Sequence, residues 1–360
     1  MLLESHAPGA ASGAFVPDTE PVPPIVALDA LSVPSTAATS RIARIDDSLL
    51  ALGRWLQAQD YRFTCPTPAT HARVLERAPD REAHSLADVF GWNLPFVSGA
   101  VPAAVIKWLN EAGALAHMGT RLRSRVRFST LGPRLFVHSS HPTLDADAVF
   151  FGPDTFRFTR LIEDVLRQPW PHPVRTLVDV GCGNGAGAIL AAEALDPSEL
   201  RRVVLRDVNP RALDYAATNV ALNLTPHAEL SHGEVLSDLD TEFDLIIANP
   251  PYMLGDGLRR SYRDGGGLGG VEIAVRFLSD GVKHLAPGGR MVMYTGTPII
   301  GGQDQFRAHA GAVLDPSGLR YRYRELDPDV FGESLSLPEY AGVDRIAVVG
   351  LVVSRDGGLR

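Results

Sequence analysis

The chain has 360 residues, 45% hydrophobic and 21% charged, enough for two domains with cores of their own and ordinary for a globular protein. Its formal charge of −8 argues against a broad electrostatic hold on nucleic acid, which rests on phosphate neutralisation, but allows a local basic patch. No stretch approaches the roughly 20 apolar residues of a membrane span, no basic segment leads into an apolar signal core, and two cysteines, Cys65 and Cys182, make no disulfide framework. The expectation is a cytoplasmic protein with free thiols, no membrane contact and no metal, since no Cys/His cluster has zinc-ligand spacing.

Residues 1–40, rich in Ala, Pro, Ser and Thr without an apolar face, are expected to form a flexible tail. A front domain is expected over 41–148. The spacing of Ile42, Ile45, Leu49, Leu52, Trp55 and Leu56 predicts a helix from about 42 to 59. A second helical stretch surrounds Ser85–Phe90. A third runs from Pro102, tolerated in a first turn, to Ala112, with Gly113 as its stop. Leu122–Phe128 then reads as an alternating strand, followed by Leu135–His138. Helices followed by a hairpin suggest a winged-helix-like module for docking or dimerisation. Arg121, Arg123, Arg125 and Arg127 lie two apart and would share one strand face, either touching phosphates or facing water.

Residues 149–360 are expected to form the second domain. It opens with an aromatic segment, Val149 to Arg160, in which Thr155 and Phe158 are candidate pocket residues or else seal an interface. Thr176–Val180 reads as a buried strand running into Gly181-Cys182-Gly183-Asn184-Gly185-Ala186-Gly187, with a helix beginning near Ala188. Strand, glycine turn and helix open a nucleotide-binding α/β unit, because glycine takes positive φ and lets a ligand approach the backbone. One acid, Asp179, precedes the glycines. A second, Asp207, ends the next apolar run, Arg202–Asp207, where an acid suits ribose hydroxyls.

Further along, a helix is expected near 211–221, a strand around Ala228–His232, and a buried strand Phe243–Ala248. That strand ends in Asn249-Pro250-Pro251-Tyr252. Two prolines remove two backbone donors and fix φ, so the chain leaves the strand in a stiff turn. Such a turn can hold an amide and an aromatic ring over a cleft. The glycine-rich, basic stretch 254–267, with Arg259, Arg260 and Arg263, suggests a mobile lid. A helix over 271–284, a strand at Arg290–Tyr294 and a closing hairpin of 321–325 with 345–353 complete an alternation that predicts a parallel sheet with ligands at its carboxyl ends.

Val178-Asp179-Val180-Gly181-Cys182-Gly183-Asn184-Gly185 resembles the S-adenosylmethionine motif of class I methyltransferases. Asn249-Pro250-Pro251-Tyr252 resembles the motif of their amino-methylating branch, which includes glutamine-amide and ribosomal RNA base methyltransferases. The resemblance covers roughly 150–355. It implies a Rossmann-like, seven-stranded methyltransferase domain behind a smaller, mainly helical one, and S-adenosylmethionine as cofactor. It implies that Asp179, Gly181, Gly183, Gly185, Asp207 and Asn249 hold that cofactor, with Glu234 and Val235 at its adenine. Asn249 and the Pro250 carbonyl would accept the two N–H groups of a planar nitrogen, and Tyr252 would stack on it. Phe158, Pro251, Arg259 and Arg263 are weaker candidates for acceptor contacts.

The expected function is N-methylation of a planar amide or amine, foremost in a macromolecule: a protein glutamine or a nucleic-acid base. Two alternatives stand beside it. One is a small-molecule N-methyltransferase acting on an amine, amide or guanidine. The other is a DNA-binding regulator that senses S-adenosylmethionine, against which the intact acceptor motif argues. A homodimer is a further expectation.

Overall fold

The computed structural model describes residues 43–79, 81–254 and 263–356. The predicted N-terminal tail and most of the glycine-rich stretch after Tyr252, Arg259 and Arg260 included, lie outside the described residues.

The front region holds α1 (Asp47–Ala58), α2 (Pro68–Glu76), α3 (Leu86–Phe90) and α4 (Ala103–Glu111). α1 starts later than its apolar spacing suggested, because the Asp46 side chain accepts from the Ser48 and Leu49 amides and caps it there. α2 was not anticipated. Thr67 caps it and Pro68 opens it, an N-terminal signature without a strong apolar stripe to announce it. Gly113, at φ 63°, ends α4 as expected.

Two hairpins follow: β1 (Leu115–Met118) with β2 (Arg121–Ser124), and β3 (Val126–Leu131) with β4 (Arg134–Ser139). The single strand expected over 122–128 is therefore broken at Arg125, whose amide donates to Ala114 O. The break overturns the shared arginine face. Arg121 pairs with Glu82 at 2.6 Å. Arg123 is half-buried and donates to the Asn93 and His141 carbonyls at 3.0 and 2.7 Å. Arg125 is exposed. Arg127 is buried, with Nε donating to Ser139 O.

The second region is a mixed sheet of β5 (Thr176–Val180), β6 (Arg202–Asp207), β7 (Ala228–His232), β8 (Phe243–Ala248), β9 (Leu285–Ile300), β11 (Arg320–Asp327) and β12 (Arg345–Ser354). The order is β11-β12-β9-β8-β5-β6-β7, and the two-residue β10 (Gln303–Asp304) pairs with β9 off that path. Pairings among β7, β6, β5, β8 and β9 are parallel, while β12 and β11 close one edge antiparallel. This is the expected seven-stranded α/β arrangement. The connecting helices are α5 (Pro153–Leu166), α6 (Ala186–Ala194), α7 (Pro210–Asn223), α8 (Gly267–Gly270), α9 (Glu272–Gly281) and α10 (Gln305–Leu314). From β5 the chain steps outward through β6 and β7, then returns to β8 on the other side of β5. The strand order thus reverses between β5 and β8, which opens a crevice at their carboxyl ends.

The two regions share one apolar core, to which Leu52 and Phe128 contribute from the front and Leu222 from α7. α1 sits so close to α7 that a Cβ on Gly53 would come within 2.9 Å of Leu222 Cδ2. On the edge away from β3, strand β4 is fastened by side-chain amides rather than by a further strand. Asn219 accepts from the Val137 amide at 2.8 Å and donates to the Val137 carbonyl at 3.1 Å, and Asn223 donates to Leu135 O at 3.0 Å. Buried backbone groups of an edge strand need such partners. Among the described residues no helix is long and apolar enough to cross a membrane.

Candidate active site

A cavity of about 340 Å³ occupies the crevice at the switch between β5 and β8. Its floor is the turn after β5. Gly181 and Gly183 have φ of 69° and 55°, values that disfavour any side chain. The Gly181 and Cys182 amides both donate to Arg206 O, at 2.8 and 3.0 Å, which pins the turn to β6. A Cβ on Gly183 would meet nothing within 4 Å, so the turn presents bare backbone to the cavity. Gly185, at φ 82°, caps α6. Asn184 reaches the other way and donates to Val137 O at 3.3 Å, tying the glycine turn to the front hairpin.

Two carboxylates line this floor. Asp179 is 1% exposed and accepts the Ala188 amide at 3.0 Å. Burial, with the nearby charge of Asp207, pushes its pKa up to about 7. Asp207 accepts from the Gly183 amide at 2.9 Å on one oxygen and from the Asn209 amide at 2.8 Å on the other. Burial raises its pKa as well, against the pull of those amides. Asn209 caps α7 by accepting the Arg211 amide and donates to Asp147 O. Buried Asp179 and part-buried Asp207, neither in an ion pair among the described residues, make a cavity floor suited to a ligand that carries positive charge and a diol.

The far wall comes from β7, α9 and α5. Gly233, Glu234 and Val235 line it, with Val235 at φ 48°. Buried Arg206 supports this loop from below. It donates to Val235 O and to Ser231 Oγ and pairs with Asp238. The Glu234 carboxylate is engaged at the rim by Arg276, 2.8 Å away. Thr155 and Phe158 line the cavity too, but from the first turns of α5 itself rather than from a segment ahead of the helix. Cys182 is buried and its thiol pKa is raised by that burial, which suits an inert lining group.

At the end of β8, Asn249 and Pro251 line the cavity. Among the described residues the Asn249 side chain takes part in no hydrogen bond, so it remains open to a ligand in the cavity; the Pro250 carbonyl is likewise unengaged, but Pro250 is buried and does not line the cavity. Tyr252 departs from the expected placement. It is 8% exposed, is not part of the cavity lining, and donates its hydroxyl to Asp154 Oδ2 at 2.8 Å. Its ring fills the space over Gly296, where a Cβ would come within 2.0 Å of Tyr252 Cδ2. Arg263 lies beyond the motif and donates to Ser334 Oγ at 3.3 Å. The base of the glycine-rich stretch is zipped by Met253 N to Arg263 O and Gly265 N to Met253 O. Among the described residues no group of His, Cys, Asp and Glu is placed to hold a metal.

The structure thus brings Asp179, Gly181, Gly183, Asp207, Glu234, Val235, Asn249, Pro251 and Phe158 around one crevice, whereas Gly185 faces Leu205 and Ala216 and does not line it. Arg206, Asn209, Arg276 and Asp154 escaped sequence reading. Arg206 carried a faint signal, a charge inside an otherwise apolar strand.

Residues 158–299 match the family model described as methyltransferase small domain. A release factor glutamine methyltransferase of Rhodopirellula baltica is 33% identical over 144 residues, 36% of this chain and 47% of that protein. A ribosomal protein uL3 glutamine methyltransferase of Bradyrhizobium diazoefficiens is 31% identical over 137 residues, 35% and 42%. A ribosomal RNA small subunit methyltransferase C of Klebsiella pneumoniae is 32% identical over 165 residues, 42% and 44%. The chain therefore spans less than half the length of these relatives.

Proposed function

We propose that this chain, whose residues 158–299 match the methyltransferase small domain, is an S-adenosylmethionine-dependent N-methyltransferase acting on a planar amide or amine nitrogen of a macromolecule. The observation that carries the reading is an unengaged Asn249 amide at the wall of a glycine-floored, doubly acidic cavity. The cavity residues fit the cofactor. Asp207 keeps lone pairs on both oxygens for a ribose diol, Asp179 and the bare glycine turn suit a cationic amino-acid end, and Val235 with Phe277 gives an apolar wall for a base. When bound, S-adenosylmethionine supplies a methyl group on a positively charged sulfur.

The chain's own residues then bind, orient and solvate. An amide or aromatic amine holds its nitrogen lone pair in a π-system. Asn249 Oδ1 and the Pro250 carbonyl can each accept one of its N–H groups, which turns the lone pair toward the cofactor and stabilises the charge that develops on nitrogen. The prolines make the turn stiff, so this alignment is built in before the acceptor arrives. No strong base is needed at the outset, because the proton can leave after transfer.

The glutamine and ribosomal RNA relatives support a macromolecular acceptor, with the front region as a docking or dimerisation module. The test is transfer of labelled methyl from S-adenosylmethionine into extract of a strain lacking the gene, separated into protein, nucleic-acid and small-molecule pools. Label in protein or nucleic acid, lost with Asn249→Ala while cofactor binding persists, is the expected result. Label confined to small molecules would overturn the macromolecular reading.

A further inference from the structure

The motif tyrosine is held in a way that its expected stacking role does not explain. Asp154 is in the first turn of α5, beside Thr155, which faces the cavity. Its carboxyl instead enters the core, 6% exposed. One oxygen accepts the Tyr252 hydroxyl and the other the Tyr294 hydroxyl, each at 2.8 Å. Arg157 spans from Asp154, 3.4 Å away, to Asp327 at 2.9 Å. Burial pushes the Asp154 pKa up while the two phenols and Arg157 oppose it. The N-terminus of a 14-residue helix also favours an anion there.

Three elements meet on this one carboxylate: α5, whose Thr155 and Phe158 form the cofactor wall; the Asn249–Tyr252 turn; and β9, which carries Tyr294. The Tyr252 ring is wedged against Gly296 and lies 6.1 Å from the Phe331 ring. With its ring wedged and its hydroxyl fixed, it cannot swing to follow a ligand.

We propose that Asp154 is a positioning residue for methyl transfer, and that Tyr252 is a strut that sets the Asn249–Pro251 turn at a fixed distance from the cofactor wall. The inference rests on the methyltransferase reading above. Because two prolines make the turn rigid, a shift at its Tyr252 end moves Asn249 and the Pro250 carbonyl with it. Misplacement of reacting groups by about 1 Å costs on the order of a hundredfold in rate.

The experiment compares wild type with Tyr252→Phe, Tyr294→Phe, Asp154→Asn and the Tyr252→Phe/Asp154→Asn double variant. Cofactor binding is measured by calorimetric titration with S-adenosylmethionine. Transfer is the initial rate of label incorporation, at saturating cofactor, into extract from the gene-deleted strain. A wild type that neither binds S-adenosylmethionine nor transfers label overturns the methyltransferase reading itself. Given an active wild type, each single variant is expected to lose about tenfold or more in transfer with its cofactor Kd within about twofold, and the double variant to be no slower than the slower single one. A structural role alone would lower Tm without slowing the folded enzyme. Tyr252→Phe at the wild-type rate, as a stacking surface predicts because phenylalanine presents the same ring, would overturn the proposal. So would an unaffected Tyr294→Phe, or losses that multiply in the double variant. Should Asp154→Asn fail to fold, the two tyrosine variants decide.

Discussion

Arg206→Met tests how the cofactor loop is supported. Arg206 is 1% exposed, and its three donor groups reach Val235 O, Ser231 Oγ and Asp238. Methionine occupies much of the same volume, so little cavity is created and the loss is chiefly polar. Val235 is buried at 7%, and a buried carbonyl left without a partner costs about 1–3 kcal/mol. The Asp238 side chain is 64% exposed and returns to water, so losing that pair costs under about 1 kcal/mol. Ser231 is only part-buried and contributes about as little. The total is about 1–5 kcal/mol, concentrated in the loop that presents Gly233, Glu234 and Val235 to the cavity. A cofactor that must reorder this loop would forfeit part of that energy, and about 1.4 kcal/mol corresponds to a tenfold weaker Kd. Calorimetric titration should therefore give a Kd about tenfold weaker for S-adenosylmethionine, and a parallel loss for adenosine, which probes the same loop. Gly233→Ala should act from the other side, since its Cβ would come within 2.0 Å of Arg206 Nη2. A folded Arg206→Met variant with wild-type Kd for both ligands would refute the reasoning.

Asp179 predicts a pH dependence. Its folded pKa of about 7 lies above its ordinary value of 3.8, so the native state binds the extra proton between those values and stability falls as pH rises through that window. Ligand-free protein should melt at higher temperature near pH 5 than near pH 8, and Asp179→Asn should flatten that contribution; a wild-type melting profile indistinguishable from that of the variant would contradict the assignment. Arg123→Ala should lower Tm, because its guanidinium holds the Asn93 and His141 carbonyls, whereas exposed Arg125→Ala should shift stability by less than about 0.5 kcal/mol; equal shifts in a thermal melt would count against the asymmetry. Gly296→Ala should cut methyl transfer while sparing S-adenosylmethionine binding, because the added Cβ would displace the Tyr252 ring; wild-type transfer rates would show that the ring can move freely.

The part of the cavity proposed for the cofactor was legible as geometry because that geometry is local. Gly181, Gly183 and Gly185 act through backbone conformations of their own, Asp207 sits at the end of its own strand, and a strand–turn–helix reading places all of them. The acceptor half was legible only as far as the stiff turn. Tyr252 is directed by a carboxylate 98 residues away, and in sequence Asp154 is an acid in a helix's first turn, indistinguishable from one that merely complements the helix dipole. The arginine row failed for a related reason. Alternation assigns faces only within one unbroken strand, and the break at Arg125 depends on Ala114 as partner, which no periodicity reveals. The same holds for the junction between the two regions. Asn184, Asn219 and Asn223 read as ordinary turn and helix residues, yet they satisfy the backbone of β4. That makes the front hairpin a part of the glycine turn's support, so truncating the front region should disturb the cofactor floor as well as any docking role it has.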